Sequence, residues 1–286
     1  MKTLKLIVLA ALCSVLVSIL IKGLKSKGFE PLQMIVWNYI SASLLCFLWF
    51  KPDLAHLSIE HTPWWLIVLL GIALPSVFLL LAKSLQYTGI VKTELAQRLS
   101  IVLSLLAAFF IFQEHFDIFK LLGIMLGLLA ITLIMFSKTQ QNQNFHQKGL
   151  LSLVGVWSGY ALIDILLKYT SSLGLKLPMT LNLVFIAAFV FSFIYVYIFK
   201  KQIVHFKNIL AGLMLGGLNF SNIALYVQAH ILLKNSPAIV FVGMNLLVVI
   251  FGVFSGILLF KEKVEPKAVM GLVLGIMGII CLAQSM

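Results

Sequence analysis

At 286 residues, 62% hydrophobic and only 10% charged, the chain has a mean hydropathy of +1.10 and is far too apolar for a soluble domain. Its formal charge of +12 comes from basic residues scattered in runs no longer than two, which argues against a nucleic-acid-binding surface. Cys13, Cys46 and Cys281 fall in apolar stretches at no metal-ligand spacing, which argues against a disulfide framework or a zinc site.

Apolar windows of about 20 residues, the length that crosses the hydrocarbon core of a bilayer, recur along the whole sequence. They predict ten spans, over residues 4–21, 32–50, 64–82, 89–112, 118–137, 149–169, 178–199, 208–232, 237–260 and 267–284. The opening "MKTLKLIVLAALCSVLVSILIKG" has the look of a secretory leader with a lipoprotein-like cysteine. Leu12 stands where such a site needs a small residue, however, and nine further spans follow, so the segment reads as an uncleaved first helix. Pro63, Trp64 and Trp65 open the third span, where interfacial aromatics belong. Between spans five and six, "SKTQQNQNFHQK" (137–148) reads as a polar linker.

The two halves resemble each other. "FQEHFDIFKLLGIMLGL" (112–128) aligns with "FKEKVEPKAVMGLVLGI" (260–276) at a shift of 148, placing Glu114 on Glu262, Gly123 on Gly271 and Gly127 on Gly275. "SILIK" (18–22) aligns with "DILLK" (164–168), and Pro31 with Pro178. Each half holds five helices, and an odd number forces related halves to cross the membrane in opposite senses. The predicted fold is therefore an all-α polytopic membrane protein of ten transmembrane helices, arranged as two inverted five-helix repeats. The expected boundaries are 1–137 and 149–286, joined by the linker 138–148.

With five-plus-five helices, a Phe-x-Glu ending helices four and nine, and a Gly-x-x-x-Gly helix after each, the chain resembles the ten-helix EamA-type branch of the drug/metabolite transporter superfamily along essentially its full length. The resemblance implies a small-metabolite exporter or exchanger of a bacterial inner (plasma) membrane. It further implies a central cavity lined mainly by helices 1, 3, 4, 6, 8 and 9, with helices 5 and 10 at the periphery.

Charge inside the spans is sparse and marks the candidate site. Every basic side chain is a lysine except Arg98, which lies with Glu94 and Gln97 in the fourth span, roughly 13 Å along the helix from Gly89. A lone charge at that depth costs from about 3 to more than 10 kcal/mol, so it faces a cavity or a partner. Arginine cannot shed its proton and offers a planar, bidentate donor suited to a carboxylate or phosphate. Glu94, four residues before it, is the expected ion-pair partner in the empty site; the plainer alternative is a self-neutralising pair that only locks the helix. Helix six carries Tyr160, Asp164 and Lys168 on one stripe, matching Ser14, Ser18 and Lys22 of helix one. Asp164 competes with Glu94 as the proton-binding carboxylate, unless it merely pairs with Lys168. Asn219, Asn222 and Tyr226 share a face of helix eight, and Asn245 stands in helix nine where helix four has Gln97. Arg98, Gln97, Tyr160, Asn219, Asn222 and Asn245 are thus the expected substrate contacts, and Glu94 and Asp164 the coupling carboxylates. Asn38, isolated in helix two, reads as an interhelical hydrogen bond.

No His-Glu-x-x-His, Gly-x-Ser-x-Gly or P-loop pattern occurs, so neither an enzyme nor a cofactor is expected. The expected partners are a small-molecule substrate, protons as coupling ion and the lipid bilayer, with the chain acting as a monomer or homodimer. Three readings stay open: a secondary transporter of an anionic or zwitterionic metabolite, a cationic drug/proton antiporter, and a non-transporting sensor or assembly subunit. Orientation is also open. Seven lysines lie on the N-terminal side of the predicted topology and eleven on the other, with Lys83 and Lys92 ambiguous. This balance places the termini outside, whereas the resemblance implies both termini in the cytoplasm.

Overall fold

The computed structural model describes residues 2–53, 62–112, 117–137, 143–233 and 237–284. All the regular structure among them is helical, as a bilayer demands: a helix satisfies its own backbone polar groups where no water is present. In order, the elements are α1 (Lys2–Ser26), α2 (Pro31–Phe50), α3 (Trp64–Tyr87), α4 (Ile90–Phe112), α5 (Ile118–Met135), α6 (Gln143–Ser172), α7 (Leu177–Phe193), α8 (Phe206–Leu232), α9 (Pro237–Phe260) and α10 (Pro266–Gln284). A π-helical turn, Ile194–Phe199, extends α7. Nine of these helices are long and apolar enough to cross a membrane by length and composition, and α4 is the tenth, diluted by Lys92, Glu94 and Arg98. The protein is an all-α polytopic membrane protein.

Helix starts follow local chemistry. Pro31, Pro237 and Pro266 open α2, α9 and α10, where a missing N–H costs nothing. Asp117 caps α5 by accepting from the Lys120 amide at 2.8 Å. α6 begins earlier than its apolar pattern indicates, so Gln143–Lys148 of the expected linker forms its first turns; residues 138–142 lie outside the described residues, as does Glu114.

Packing between helices repeats under exchange of the halves. Swapping α1–α5 with α6–α10 turns the α1–α8 contact into α6–α3, α2–α8 into α7–α3, α1–α9 into α6–α4, and α4–α5 into α9–α10. The α2–α7, α4–α9 and α5–α10 contacts map onto themselves and therefore straddle the pseudo-two-fold. The glycine pairs in the last helix of each half serve this internal packing: a methyl on Gly123 would lie 2.7 Å from Leu282 and 3.0 Å from the Gly278 carbonyl, and one on Gly271 would lie 2.9 Å from the Ala130 carbonyl. Small residues let the α5 and α10 backbones meet without a hydrophobic driving force.

A polar clasp ties α2 to the segment before α8. The Gln33 side chain donates to the Ile203 carbonyl at 2.8 Å and accepts from Asn208 at 3.0 Å, while the Asn208 amide oxygen accepts from the Glu30 backbone at 3.2 Å. Beside it, Gly212 brings α8 against α2 so closely that an added methyl would sit 2.6 Å from both the Met34 carbonyl and Trp37 Cβ. Gly217, five residues on, faces open space. Gly212→Ala should therefore lower stability by about 1–3 kcal/mol through overpacking, whereas Gly217→Ala should be neutral or stabilising by up to about 1 kcal/mol because alanine favours helix. Thermal unfolding of the two variants in detergent, compared with the parent, checks this contrast.

Candidate functional site

Arg98 sits eight residues into α4, about 12 Å from its start, and its environment is built by α1. Ser14, Ser18 and Lys22 step along one face of α1 at four-residue intervals, and each meets a successive level of α4. The Arg98 Nη2 donates to Ser14 Oγ at 2.6 Å, and Ser18 Oγ donates to Glu94 Oε1. Lys22 Nζ reaches the level of the α4 N-terminus, where it pairs with Glu262 at 2.5 Å.

This arrangement corrects the expected ion pair. Glu94 and Arg98 do not approach within 4.0 Å; each is held by its own serine. The reason is lateral packing. Glu94 is 1% exposed and turned against α9, where Gly252 leaves room for it: a methyl there would be 3.1 Å from Glu94 Cγ. One oxygen of Glu94 and the Nε of Arg98 are left without a protein partner, as is the amide oxygen of Asn222. Buried polar atoms without partners are costly and mark sites that water or ligand completes.

Above Glu94 lies a cavity of about 280 Å³ that brings together Gln97, Arg98, Tyr160, Asp164, Asn222 and Asn245, together with Ser100, Tyr226 and an apolar wall of Ile101, Ile223, Phe241 and Met244. Asp164 is exposed within it, its Oδ2 3.4 Å from the Ser104 hydroxyl. Asn245 donates one amide proton to the Phe241 carbonyl of its own helix at 2.8 Å, which leaves its oxygen and its second N–H for other partners. A smaller polar chamber of about 30 Å³ continues inward, sharing Gln97, Tyr160 and Asn222 with the cavity and adding Ser14, Val17, Ser18, Phe78, Leu81 and Asn219. That is room for about one water. Asn219 therefore belongs to the inner chamber and not to the main cavity, and its Nδ2 lies 3.4 Å from Asn38 Oδ1. The two spaces together are lined by α1, α3, α4, α6, α8 and α9, the helices that the resemblance implied.

The cavity residues lie toward the C-terminal ends of α6 and α8 and the N-terminal end of α9, the side on which the chain begins. On the opposite side the path is closed at the α4 N-terminus. Glu262, from the segment after α9, accepts from the Ile90 and Val91 amides at 2.7 and 3.2 Å as well as from Lys22. Its carboxylate fits between Gly89, at φ +89°, and Gly256; a methyl on either would come within 2.5–2.9 Å of a carboxylate oxygen. Lys261 adopts φ +50° and the Glu262 amide returns to the Gly256 carbonyl at 2.9 Å, which fixes the direction of the side chain. An anion at a helix N-terminus is favoured by the exposed amides and the helix dipole. Lys22 also lies 4.7 Å over the Phe260 ring, so the contact spans α1, α4 and α9.

Sequence reasoning located the polar cavity residues but missed the parts played by Ser14, Ser18 and Glu262. The signal was present in the four-residue spacing of Ser14, Ser18 and Lys22, which equals the Glu94–Arg98 spacing. No single sequence reveals that two such ladders face each other.

Residues 1–136 match the EamA-like transporter family. Over 285 residues the chain is 36% identical to an uncharacterised protein of Haemophilus influenzae, covering 96% of each chain. A polytopic helical fold, a charged mid-membrane cavity and these two similarities agree: the chain belongs to the EamA-like transporter family, within the drug/metabolite transporter superfamily, and is a multi-pass membrane transporter.

Proposed function

We propose that the protein is a secondary active transporter, exporting or exchanging a small zwitterionic or anionic metabolite by alternating access across a bacterial inner membrane. The observation that carries this reading is the single cavity onto which Arg98 from one half and Asn222 and Asn245 from the other converge. Its volume, about 280 Å³, is at the low end for ligand sites and suits a small solute. Arg98 keeps a permanent donor face for a carboxylate or phosphate. Asp164, exposed in the same cavity, is an acceptor for an ammonium group or a proton. A zwitterion satisfies both ends; a purely cationic substrate would leave Arg98 repelling it.

Proton coupling is assigned to Asp164 or Glu94. Asp164 stands in the open cavity and Glu94 behind it at the sealed end, so the two carboxylates are positioned to see opposite sides in turn. The Lys22–Glu262–α4 contact is the barrier on the closed side, and alternating access requires it to open while the cavity mouth closes.

Counterflow in proteoliposomes loaded with pooled amino acids and organic acids tests the site. Arg98→Ala should abolish exchange in folded protein, and Arg98→Lys, which keeps charge but loses the planar fork, should weaken substrate affinity about tenfold or more. Asp164→Asn or Glu94→Gln should eliminate pH-driven uptake while retaining counterflow without a gradient. Because Glu94 holds Ser18 and not Arg98, Glu94→Gln should leave substrate affinity near the parent value. Unchanged exchange by well-folded Arg98→Ala would refute the assignment.

The barrier has its own test. In a protein lacking Cys13, Cys46 and Cys281, Val17→Cys reports access to the inner chamber; Val17 is 6% exposed and should react slowly with membrane-impermeant thiol reagents. A charge-assisted hydrogen bond contributes about 1.5–3 kcal/mol, so Lys22→Ala or Glu262→Gln should raise labelling from the closed side by about tenfold or more. The double variant should exceed neither single by much, since both remove one interaction. Equal labelling in all four proteins would show that the contact is no barrier.

A further inference from the structure

A second cavity, of about 580 Å³, lies away from the transport path between α2, α3 and the end of α7. Leu32 and Ile35 of α2, Ile72, Leu79 and Leu80 of α3, and Val196 beyond α7 form its apolar walls. The protons of its two serine hydroxyls are taken up within their own helices: Ser76 donates to the Ile72 carbonyl at 2.7 Å and Ser192 to the Ala188 carbonyl at 2.5 Å. Pro75, inside α3, also lines it. Ile72 and Tyr195 are 48% and 45% exposed, so the cleft opens laterally, toward lipid, and not into the polar cavity.

One end of this cleft is built differently. There α7 widens into its π-helical turn, a geometry frequently found at functional sites. The Lys200 amide bonds the Tyr195 carbonyl at 2.9 Å, and the Gln202 amide bonds the Val196 carbonyl at 3.2 Å, with Lys201 at φ +49°. This wrap holds the Lys200 ammonium 5.7 Å over the ring of Tyr195, the residue that forms the cleft rim. Among the described residues no carboxylate lies within 4.0 Å of Lys200. The Trp37 indole donates to the Tyr197 hydroxyl at 3.0 Å nearby. Tryptophan, tyrosine and lysine together mark the level of lipid headgroups. From there the α3 wall runs eight residues, Leu80 to Ile72, or about 12 Å into the hydrocarbon.

We propose that this cleft binds a phospholipid with an acidic headgroup, one acyl chain lying between α2, α3 and α7 and the phosphate meeting Lys200 and Lys201. The charge at the rim selects the headgroup, and the depth of the apolar walls requires a chain, so a free phosphate ester lacks most of the contact. Basic clefts between transmembrane helices are a general means of holding anionic lipid.

The full-length protein in nanodiscs provides the test. Phosphatidylglycerol titrated into phosphatidylcholine discs should raise thermal stability saturably and remain bound in native mass spectrometry, whereas added phosphatidylcholine of the same chains and soluble glycerol phosphate should do neither. Lys200→Glu should weaken phosphatidylglycerol retention at least about fivefold, as should Ile72→Trp, which fills the cleft without touching charge. Lys176→Glu, at the opposite membrane face, should have no effect. Equal retention of both lipids, binding by glycerol phosphate alone, or unchanged retention in folded Lys200→Glu and Ile72→Trp would each overturn the proposal.

Discussion

The rest of the structure depends on keeping one guanidinium charged near the middle of a bilayer. A bare charge there costs several kcal/mol, and this protein meets that cost with hydroxyls and not with a direct counter-ion. Ser14 accepts from Arg98 and Ser18 donates to Glu94, each from the facing turn of α1. A directly paired guanidinium would have its planar face occupied, whereas Ser14 engages only Nη2 and leaves Nε without a protein partner.

The same ladder connects the site to the closed side of the protein. Lys22 is one helical step beyond Ser18, and its partner Glu262 holds the first amides of α4, eight residues from Arg98. A helix is stiff over that distance, so displacement of the α4 N-terminus must move Arg98 and Glu94 with it. The carboxylate doing this comes from the second half of the chain, and the helix it holds from the first. Closure on one side is thus a contact between the halves, as an inverted architecture requires if each half is to exchange roles with the other.

Symmetry of backbone and asymmetry of chemistry coexist for a simple reason. The packing pairs survive exchange of the halves because small residues and helix lengths set them. Polar side chains are not so constrained. At the repeat-equivalent positions where α4 has Glu94, Gln97 and Arg98, α9 has Val242, Asn245 and Leu246, and farther along α9 Gly252 makes the space that Glu94 fills.

Length, apolar periodicity and an odd-numbered repeat were sufficient to read ten helices and their opposed halves, because bilayer thickness leaves the chain few other ways to satisfy its backbone. They were sufficient also to single out Arg98, Glu94, Tyr160, Asp164, Asn222 and Asn245, since polar groups in hydrocarbon are too costly to be incidental. Tertiary structure alone decided the partners. Four-residue spacing within α4 suggested that Glu94 and Arg98 touch, yet α1 and α9, distant in sequence, offered each a better neighbour. It also moved Asn219 into the inner chamber and turned Glu262 from a repeat landmark into the cap of α4. Sequence records which groups must be satisfied in the membrane; only the approach of separate helices determines by whom.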